Sequence, residues 1–183
     1  MKNLNLALKA AELNYIQVTT AVSTAILGVS YPPSQGKFSD DVSSIMKSIT
    51  AFLAAHESPL LVNVYPYFSY INNQKDIPLA YALFNSKQVV VKDGQLGYKN
   101  IFDAITDAVY SALEIAGGAS VEIVVSESGW PSKGNGTPKR PGKNIETYVF
   151  AIFNENLKPL GTEQNFGLYN PDMTEVYHVE FPN

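Results

Sequence analysis

One glutamate stands directly after an apolar run in the second half of the chain. Glu127 follows Ile123, Val124, Val125 and Ser126, and Trp130 comes three residues later. Such a run is typical of a buried strand, and a rigid strand end fixes the geometry of the side chain that follows it. Glu127 is therefore a candidate nucleophile or general acid, although a glutamate at a strand end is more often an N-cap-like or solvated residue than a catalyst.

Polar and aromatic side chains also follow two other apolar runs. Asn63 and Tyr65 lie at the end of the run 59–65 and Tyr67 and Phe68 follow it, while Glu155 and Lys158 come after the run 148–153. Carboxylates flanked by aromatic rings suit glycoside hydrolysis, in which two carboxyl groups act on the anomeric carbon. The alternatives are that Tyr65 and Phe68 belong to the core and that Glu155 and Lys158 form a surface ion pair of little energetic value.

The elements that would position these residues alternate between strands and helices. Residues 15–22, 59–65, 121–126 and 148–153 form β-branched or aromatic runs that predict four strands. Apolar residues with helical spacing predict helices around 42–53, with Ser39 or Asp40 as N-cap, and around 101–113. Alternating strands and helices indicate an α/β fold with a parallel sheet whose functional site lies at the carboxyl ends of the strands.

Two stretches interrupt this alternation. Residues 69–97 form a long excursion in which Asp93-Gly94 predicts a hairpin turn, with strands around Leu83-Phe84 and 89–91. Residues 133–144 contain three glycines and two prolines and would make a poor crossover helix. Either a covering helix is missing here, or the two parallel strands are joined by a bare loop. Four strands are half of the eight in a closed (β/α)8 barrel, so we expect a partial TIM-type barrel.

Composition excludes several classes of function. The 183 residues have a net charge of −4, which gives no reason to expect binding to nucleic acid. There is no cysteine, and His56 and His178 lack ligand spacing, so we expect no metal and no cofactor. No apolar run is long enough for a membrane span, and the first residues do not resemble a secretion signal.

Several segments together carry a family resemblance. The run Val-Val-Ser-Glu-Ser-Gly-Trp-Pro-Ser at 124–132 is long and specific. Further matching segments lie at 61–68, 93–98, 146–156 and 165–169. This set resembles plant glycoside hydrolase family 17, the endo-1,3-β-glucanases and their pollen and fruit allergen relatives, over nearly the whole chain.

The resemblance assigns a role to each candidate residue. Glu127 matches the family's nucleophile, which forms a covalent glycosyl intermediate with retention of configuration. The residues that would contact a β-1,3-glucan are Asn63 through a hydroxyl hydrogen bond, Tyr65, Phe68, Trp130 and Phe153 through stacking, and Glu155, Lys158 and Glu163 as charged cleft residues. The resemblance also implies a location outside the cell, in the cell wall or in the vacuole.

Two departures from the family pattern shape the functional expectation. The family's acid/base glutamate stands in a Gly-Asn-Glu motif after its fourth strand, and this chain has no such motif. The family also has about one more helix in the interval 133–144. The chain is thus expected to be a single truncated domain, 1–183, that corresponds to strands five to eight. Retaining hydrolysis of internal 1,3-β-glucosidic bonds would then be weak or absent, and the alternative is an inactive glucan-binding or allergen-like fragment.

A half barrel has consequences for association. Its first and last strands would be open edges, which are templates for pairing with another chain. The side chains that we expect to face inward, and to lose cover, are Val18, Val62, Val64, Ile123, Val125 and Phe150. We therefore expect a homodimer or an aggregate formed through the sheet edges.

Overall fold

A computed structural model describes residues 1–129, 139 and 146–176. Its central feature is a four-stranded parallel sheet in the order β1 (Ala21–Ser23), β4 (Leu60–Asn63), β7 (Ile123–Ser128) and β8 (Thr147–Val149). Two small antiparallel pairs accompany it, β2 (Leu27–Val29) with β3 (Lys37–Phe38) and β5 (Val91–Asp93) with β6 (Leu96–Tyr98). The parallel α/β sheet expected from the sequence is therefore present.

The first strand is shorter than predicted, because pairing with β4 begins late. Residues 15–20 are not strand, and the ladder starts where the Leu61 N–H donates to the Thr20 carbonyl at 3.2 Å. Pro59 has no N–H to donate, so β4 offers no backbone donor before Leu60. The β-branched run at 15–20 consequently has no ladder to join, and Tyr15 is exposed.

The last strand is also shorter than predicted, because its backbone changes partner. The Phe150 N–H donates to Ser128 of β7, but the Ala151 N–H donates to Phe166 in the tail. Phe153 then forms a parallel bridge to Tyr169. Residues 151–153 therefore follow the tail instead of extending β8.

Two amphipathic helices cover one face of the sheet. Helix α2 (Asp40–Ala55) begins after the N-cap Ser39, as predicted, and buries Met46, Phe52 and Leu53. Helix α5 (Ile101–Ile115) follows the N-cap Asn100, whose side chain accepts a hydrogen bond from the Asp103 N–H. A third helix, α1 (Lys2–Ala10), has no fully buried residue. No helix in the described part of the chain is long and apolar enough to cross a membrane.

The core shows that the expected assignment of sheet faces was wrong. Val62, Val64 and Val125 are completely buried, and they belong to one cluster with Leu53 of α2 and Val109 of α5. Val18 and Ile123 join the same cluster, whereas Phe150 is half-buried. These valines lie under the helices and have not lost their cover. Because side chains alternate along a strand, the other face carries Leu61, Asn63, Val124 and Ser126, all half-buried.

The excursion after β4 forms a small substructure. It contains α3 (Pro66–Asn72), α4 (Leu79–Ala82) and the hairpin β5–β6. The predicted turn at Asp93-Gly94 is confirmed, with Gly94 at a positive φ of 59°. The strand expected at Leu83-Phe84 is absent, because α4 occupies the preceding residues and β5 pairs with β6. The Asp93 carboxylate fastens the hairpin to the 30–36 loop by accepting from the Ser34 N–H at 2.6 Å and the Ser34 hydroxyl at 2.7 Å.

Candidate active site

The carboxyl ends of β4 and β7 bring Tyr65 and Glu127 together. Asn63 and Glu127 are register partners in the parallel pair, and the Val64 N–H donates to the Glu127 carbonyl at 2.9 Å. Glu127 is the penultimate residue of β7 and does not lie beyond the strand, because β7 runs two residues further than predicted. The Tyr65 hydroxyl donates to Glu127 Oε2 at 2.8 Å. The carboxylate is therefore held by a neighbouring strand as well as by its own.

The surroundings of Tyr65 keep its hydroxyl protonated. Burial raises the pKa of Tyr65 well above its usual value, and the hydrogen bond to Glu127, the Glu127 charge and the Glu163 charge raise it further. A protonated phenol donates a hydrogen bond and leaves the negative charge on Glu127. The effect of Glu163 on this pKa also places Glu163 close enough to act electrostatically on the same site.

An aromatic pocket adjoins this pair. It has a volume of about 380 Å³ and is lined by Tyr65, Pro66, Tyr67, Gly129, Thr162, Asn165 and Phe166. The Phe166 ring centroid lies 5.7 Å from that of Tyr65, 6.1 Å from Tyr67 and 6.0 Å from Phe68. A Cβ on Gly129 would stand 2.9 Å from Phe166 Cδ1, so the absent side chain lets the ring approach the strand end. Flat apolar rings beside a carboxylate suit the faces of sugar rings.

Asn63 forms a hydrogen bond that links the carboxyl ends of β4 and β7. Its side-chain oxygen accepts a hydrogen bond from the Ser126 hydroxyl at 2.7 Å across the two strands. This contact uses the carbonyl oxygen of the amide, so Asn63 could bond a ligand hydroxyl through its amide N–H.

Glu155 and Lys158 reach the site indirectly. Lys158 Nζ lies 2.5 Å from Glu155 Oε2 and 5.1 Å from the centroid of the Phe150 ring. The Phe150 ring is in turn 6.4 Å from the Phe166 ring. The ion pair is thus linked to the aromatic pocket through two rings, although both of its side chains remain more than one-third exposed.

The remaining predicted residues are not brought to Glu127 by any described contact. The Phe153 ring packs against Tyr169 with centroids 6.3 Å apart, and 39% of Phe153 is exposed. Trp130 lies outside the described residues. In the part of the chain that the structure describes, no three His, Cys, Asp or Glu side chains are grouped so that they could hold a metal ion.

Sequence reasoning missed Phe166 as a site residue. It touches three of the rings named above and closes the pocket opposite β4. Its position in the segment Asn-Phe-Gly-Leu-Tyr at 165–169, which resembles a family segment, was the available signal. Tyr67 was recognised as part of the aromatic group after the second strand, but it was not predicted to line a pocket.

Helices over one face of a parallel sheet, with a carboxylate and aromatic rings at the strand ends, are the arrangement of a partial (β/α)8 barrel whose candidate site lies at the carboxyl ends of its strands. The chain belongs to glycosyl hydrolase family 17, whose family model matches residues 1–136 and 134–181.

Relatives and solved structures agree with this assignment. A putative glucan endo-1,3-β-glucosidase GVI of Hordeum vulgare is 52% identical over 99% of this chain and 63% of its own length. A basic vacuolar isoform of glucan endo-1,3-β-glucosidase from Nicotiana tabacum is 46% identical over 99% of this chain and 55% of its own length. A structure from a study of two plant β-glucan endohydrolases with distinct substrate specificities superposes with a TM-score of 0.92 at 46% identity, over 99% of this chain and 66% of that one. The chain therefore spans roughly three-fifths of the length of such relatives, and the partial barrel fold expected from the sequence is confirmed.

Proposed function

We propose that this chain carries Glu127, the catalytic nucleophile of a retaining endo-1,3-β-glucan hydrolase. The observation that carries the proposal is the Glu127 carboxylate held by the Tyr65 hydroxyl at 2.8 Å beside an aromatic pocket. The sequence resemblance and the names of the relatives support the choice of 1,3-β-glucan as substrate.

The chemistry proceeds in two displacements. A Glu127 oxygen attacks the anomeric carbon while the bond to the glycosidic oxygen breaks, and the leaving oxygen takes the electron pair and needs a proton. Water then attacks the same carbon and gives its proton to the conjugate base of the general acid, or to solvent where that acid is absent. The bond from the carbon to the Glu127 oxygen breaks, which restores the carboxylate and releases the sugar with retained configuration. Tyr65 holds one carboxylate oxygen and so orients the other for attack.

We also propose that the 183-residue chain hydrolyses unactivated glucan weakly or not at all. Protonation of the leaving oxygen by a general acid is worth roughly 10²–10⁴-fold, and no Gly-Asn-Glu motif occurs in this sequence. Glu155 forms an ion pair with the Lys158 ammonium group, and no described contact brings it to Glu127. The second candidate function, glucan binding without hydrolysis, is favoured by the aromatic pocket, which needs no acid in order to bind a sugar.

The extent of the domain is part of this proposal. We infer that residues 1–183 are one truncated barrel domain equivalent to strands five to eight, with a deletion in the interval 133–144. In support, the alignment to the Hordeum vulgare relative runs over 204 positions although this chain has 183 residues. The two segments matched by the family model also meet at 134–136, inside that interval.

A substrate with an activated leaving group tests the nucleophile on its own, because its reaction needs no general acid. 2,4-Dinitrophenolate leaves without being protonated, so 2,4-dinitrophenyl β-laminaribioside should react with Glu127 in the absence of a general acid. We expect a burst of dinitrophenolate and a laminaribiosyl adduct on the peptide that contains Glu127. Laminarin should release little or no reducing sugar under the same conditions.

Glu127→Gln is the matched control for both substrates. It should abolish the burst and the adduct while leaving the fold intact by circular dichroism. Absence of a burst in the unaltered chain would reject the assignment of Glu127. Rapid laminarin hydrolysis that depends on Glu127 would instead reject the expectation of weak activity.

The place of action follows from the same family assignment. We propose that the protein acts outside the cell, in the cell wall or in the vacuole, in keeping with the vacuolar isoform among its relatives. Fractionation of tissue expressing the tagged full-length gene product would test this, and a protein confined to the cytosol would contradict it.

A further inference from the structure

The backbone around Phe166 is fixed by hydrogen bonds to the segment that follows β8. The Ala151 N–H donates to the Phe166 carbonyl at 3.1 Å, and the Leu168 N–H donates to the Ala151 carbonyl at 3.1 Å. Between them, the Gly167 N–H donates to Asn154 Oδ1 at 2.9 Å. A Cβ on Gly167 would stand 1.9 Å from the Asn154 nitrogen, so this close pairing requires glycine. The Phe166 side chain therefore projects from a backbone that is held in place.

The Phe166 ring lies against Tyr65 and also against the strand end that carries Glu127. Its centroid is 5.7 Å from that of Tyr65, with an interplanar angle of 69°, which is the edge-to-face arrangement that aromatic pairs favour. The same ring lies against Gly129, where an added Cβ would stand 2.9 Å from Phe166 Cδ1 and 3.0 Å from Cε1. Gly129 follows Glu127 by two residues. One ring thus packs beside both partners of the Tyr65–Glu127 hydrogen bond.

The orientation of the Tyr65 ring decides where its hydroxyl lies. The ring turns about its side-chain torsions, so packing neighbours must fix it if the hydroxyl is to stay on Glu127. Phe68 packs against it with centroids 5.6 Å apart, but Phe68 is 37% exposed and only three residues away along the chain. Phe166 comes from a distant segment whose backbone is paired. Burial is also the largest cause of the raised pKa of Tyr65, and Phe166 is among the rings that bury it.

We propose that Phe166 is a positioning residue that acts through Tyr65: its ring keeps the Tyr65 hydroxyl on one oxygen of Glu127 and so keeps the other oxygen aimed at the anomeric carbon. The reaction rests on the proposed function, but the contact between the two rings does not. A ring that only stacked on the sugar, or only filled the fold, would act independently of the Tyr65 hydroxyl. The two roles therefore differ in a way that can be measured.

A double-mutant cycle on the dinitrophenolate burst separates these roles. Phe166→Ala should lower the maximal burst rate about 3–10-fold, the range expected from the loss of one or two aromatic contacts. In the Tyr65→Phe background the hydroxyl is already absent, so Phe166→Ala should lower the rate less than about twofold. An equal loss in the two backgrounds would mean that Phe166 acts on the sugar or on the fold alone, and it would overturn the proposal.

Two further variants guard against a general loosening of the fold. Gly129→Ala displaces the Phe166 ring without removing it, because the new Cβ meets the edge of that ring, and it should also slow the burst. Phe84→Ala is the matched control, since Phe84 packs on Phe102 with centroids 5.9 Å apart and does not line the aromatic pocket. Phe84→Ala should leave the burst unchanged. A loss in this control equal to that in Phe166→Ala would count against the proposal.

NMR titration of the Tyr65 phenol tests the contact without a substrate. In the chain labelled with ¹³C in its tyrosine rings, Phe166→Ala should lower the pKa of Tyr65 toward the usual tyrosine value of about 10, because part of the burial is removed. Phe84→Ala should leave that pKa unchanged.

The burst and the titration fail independently of each other. A Tyr65 pKa that Phe166→Ala leaves unchanged would overturn the inference, even where the unaltered chain gives a normal burst and the proposed function stands. A lowered Tyr65 pKa in Phe166→Ala, with no burst from the unaltered chain, would reject Glu127 as the nucleophile and retain Phe166 as the residue that holds Tyr65.

Discussion

At the scale of single residues, the contact between Tyr65 and Glu127 is the one that connects fold to chemistry. Each residue ends a different strand, and the 2.8 Å hydrogen bond exists only because β4 and β7 are adjacent and parallel. Glu163 and Phe166, which are distant in sequence, shape the electrostatics and the walls around this pair. In the proposed mechanism, Tyr65 is therefore a positioning residue for Glu127.

Tyr65→Phe tests this role. Hydrogen bonds to charged groups are worth about 1.5–3 kcal/mol, so we expect the dinitrophenolate burst to slow about 10–100-fold. Burst rates measured over a range of substrate concentrations should show the loss mainly in the maximal rate and less in the apparent affinity. Tyr15→Phe, at an exposed position, is the control, and an unchanged burst in Tyr65→Phe would contradict the positioning role.

At the scale of elements, the 30–36 loop is packed tightly against α5. A Cβ added at Gly36 would stand 2.1 Å from the Ala108 carbonyl oxygen and 2.7 Å from Ala108 Cα. These are backbone atoms of a buried helix, so neither side can yield without moving the helix away from the sheet.

Gly36→Ala should therefore be costly. We expect the free energy of unfolding to fall by about 3 kcal/mol, near the upper end of typical overpacking, when measured by urea denaturation. Gly94→Ala is the comparison, because a Cβ there meets nothing within 4 Å and only the positive φ of 59° is unfavourable. That change should cost about 1 kcal/mol, and an equal loss in the two variants would refute the packing argument.

Helix α5 also carries a carboxyl group that should oppose stability at neutral pH. Burial raises the pKa of Asp103 to about 6, the hydrogen bond from Asn100 lowers it, and the Asp107 charge raises it. Since this folded-state value exceeds the unfolded value of about 4, the contribution of Asp103 is most favourable below pH 4. This stabilising contribution is lost as pH rises to about 6. Above that pH the ionised Asp103 carboxylate lowers the free energy of unfolding.

Asp103→Asn should remove this pH dependence. We expect the variant to gain about 2 kcal/mol relative to the unaltered chain between pH 4 and pH 7, as measured by urea denaturation at each pH. Asp172→Asn should change stability in the opposite direction, because hydrogen bonds from Thr174 lower the pKa of Asp172. A difference between Asp103→Asn and the unaltered chain that does not vary with pH would contradict the prediction.

At the scale of the whole molecule, the described sheet has two ends, β1 and β8. The face that packs on α2 and α5 is buried, but Leu61 and Val124 on the other face are only half-buried. Leu4, Leu6 and Ile16, all in the first sixteen residues, add exposed apolar surface. We therefore propose that the 183-residue chain self-associates, mainly through its edge strands.

A charge on the edge strand should reduce this association. Ala21 lies exposed on β1, so Ala21→Lys should shift the chain toward monomer in size-exclusion chromatography with light scattering. Ala51→Lys, at an exposed position on α2, should leave the mass distribution unchanged. A monodisperse 20 kDa monomer of the unaltered chain at high concentration would contradict edge pairing.

Four features could be predicted from residue patterns alone: the class of fold, the two long helices, the turn at Asp93-Gly94 and the position of Glu127 near a strand end. These depend on local periodicity, on turn chemistry and on a long specific motif. The lengths of the first and last strands depend on tertiary structure, because a strand forms only where a neighbouring backbone supplies hydrogen-bond partners. Residues 15–20 have none, since Pro59 cannot donate, and residues 151–153 pair with the tail. Val62 and Val64 face the helices, and the Tyr65 hydroxyl donates a hydrogen bond to Glu127. Both contacts depend on which elements become neighbours in the fold, and residue types do not specify that.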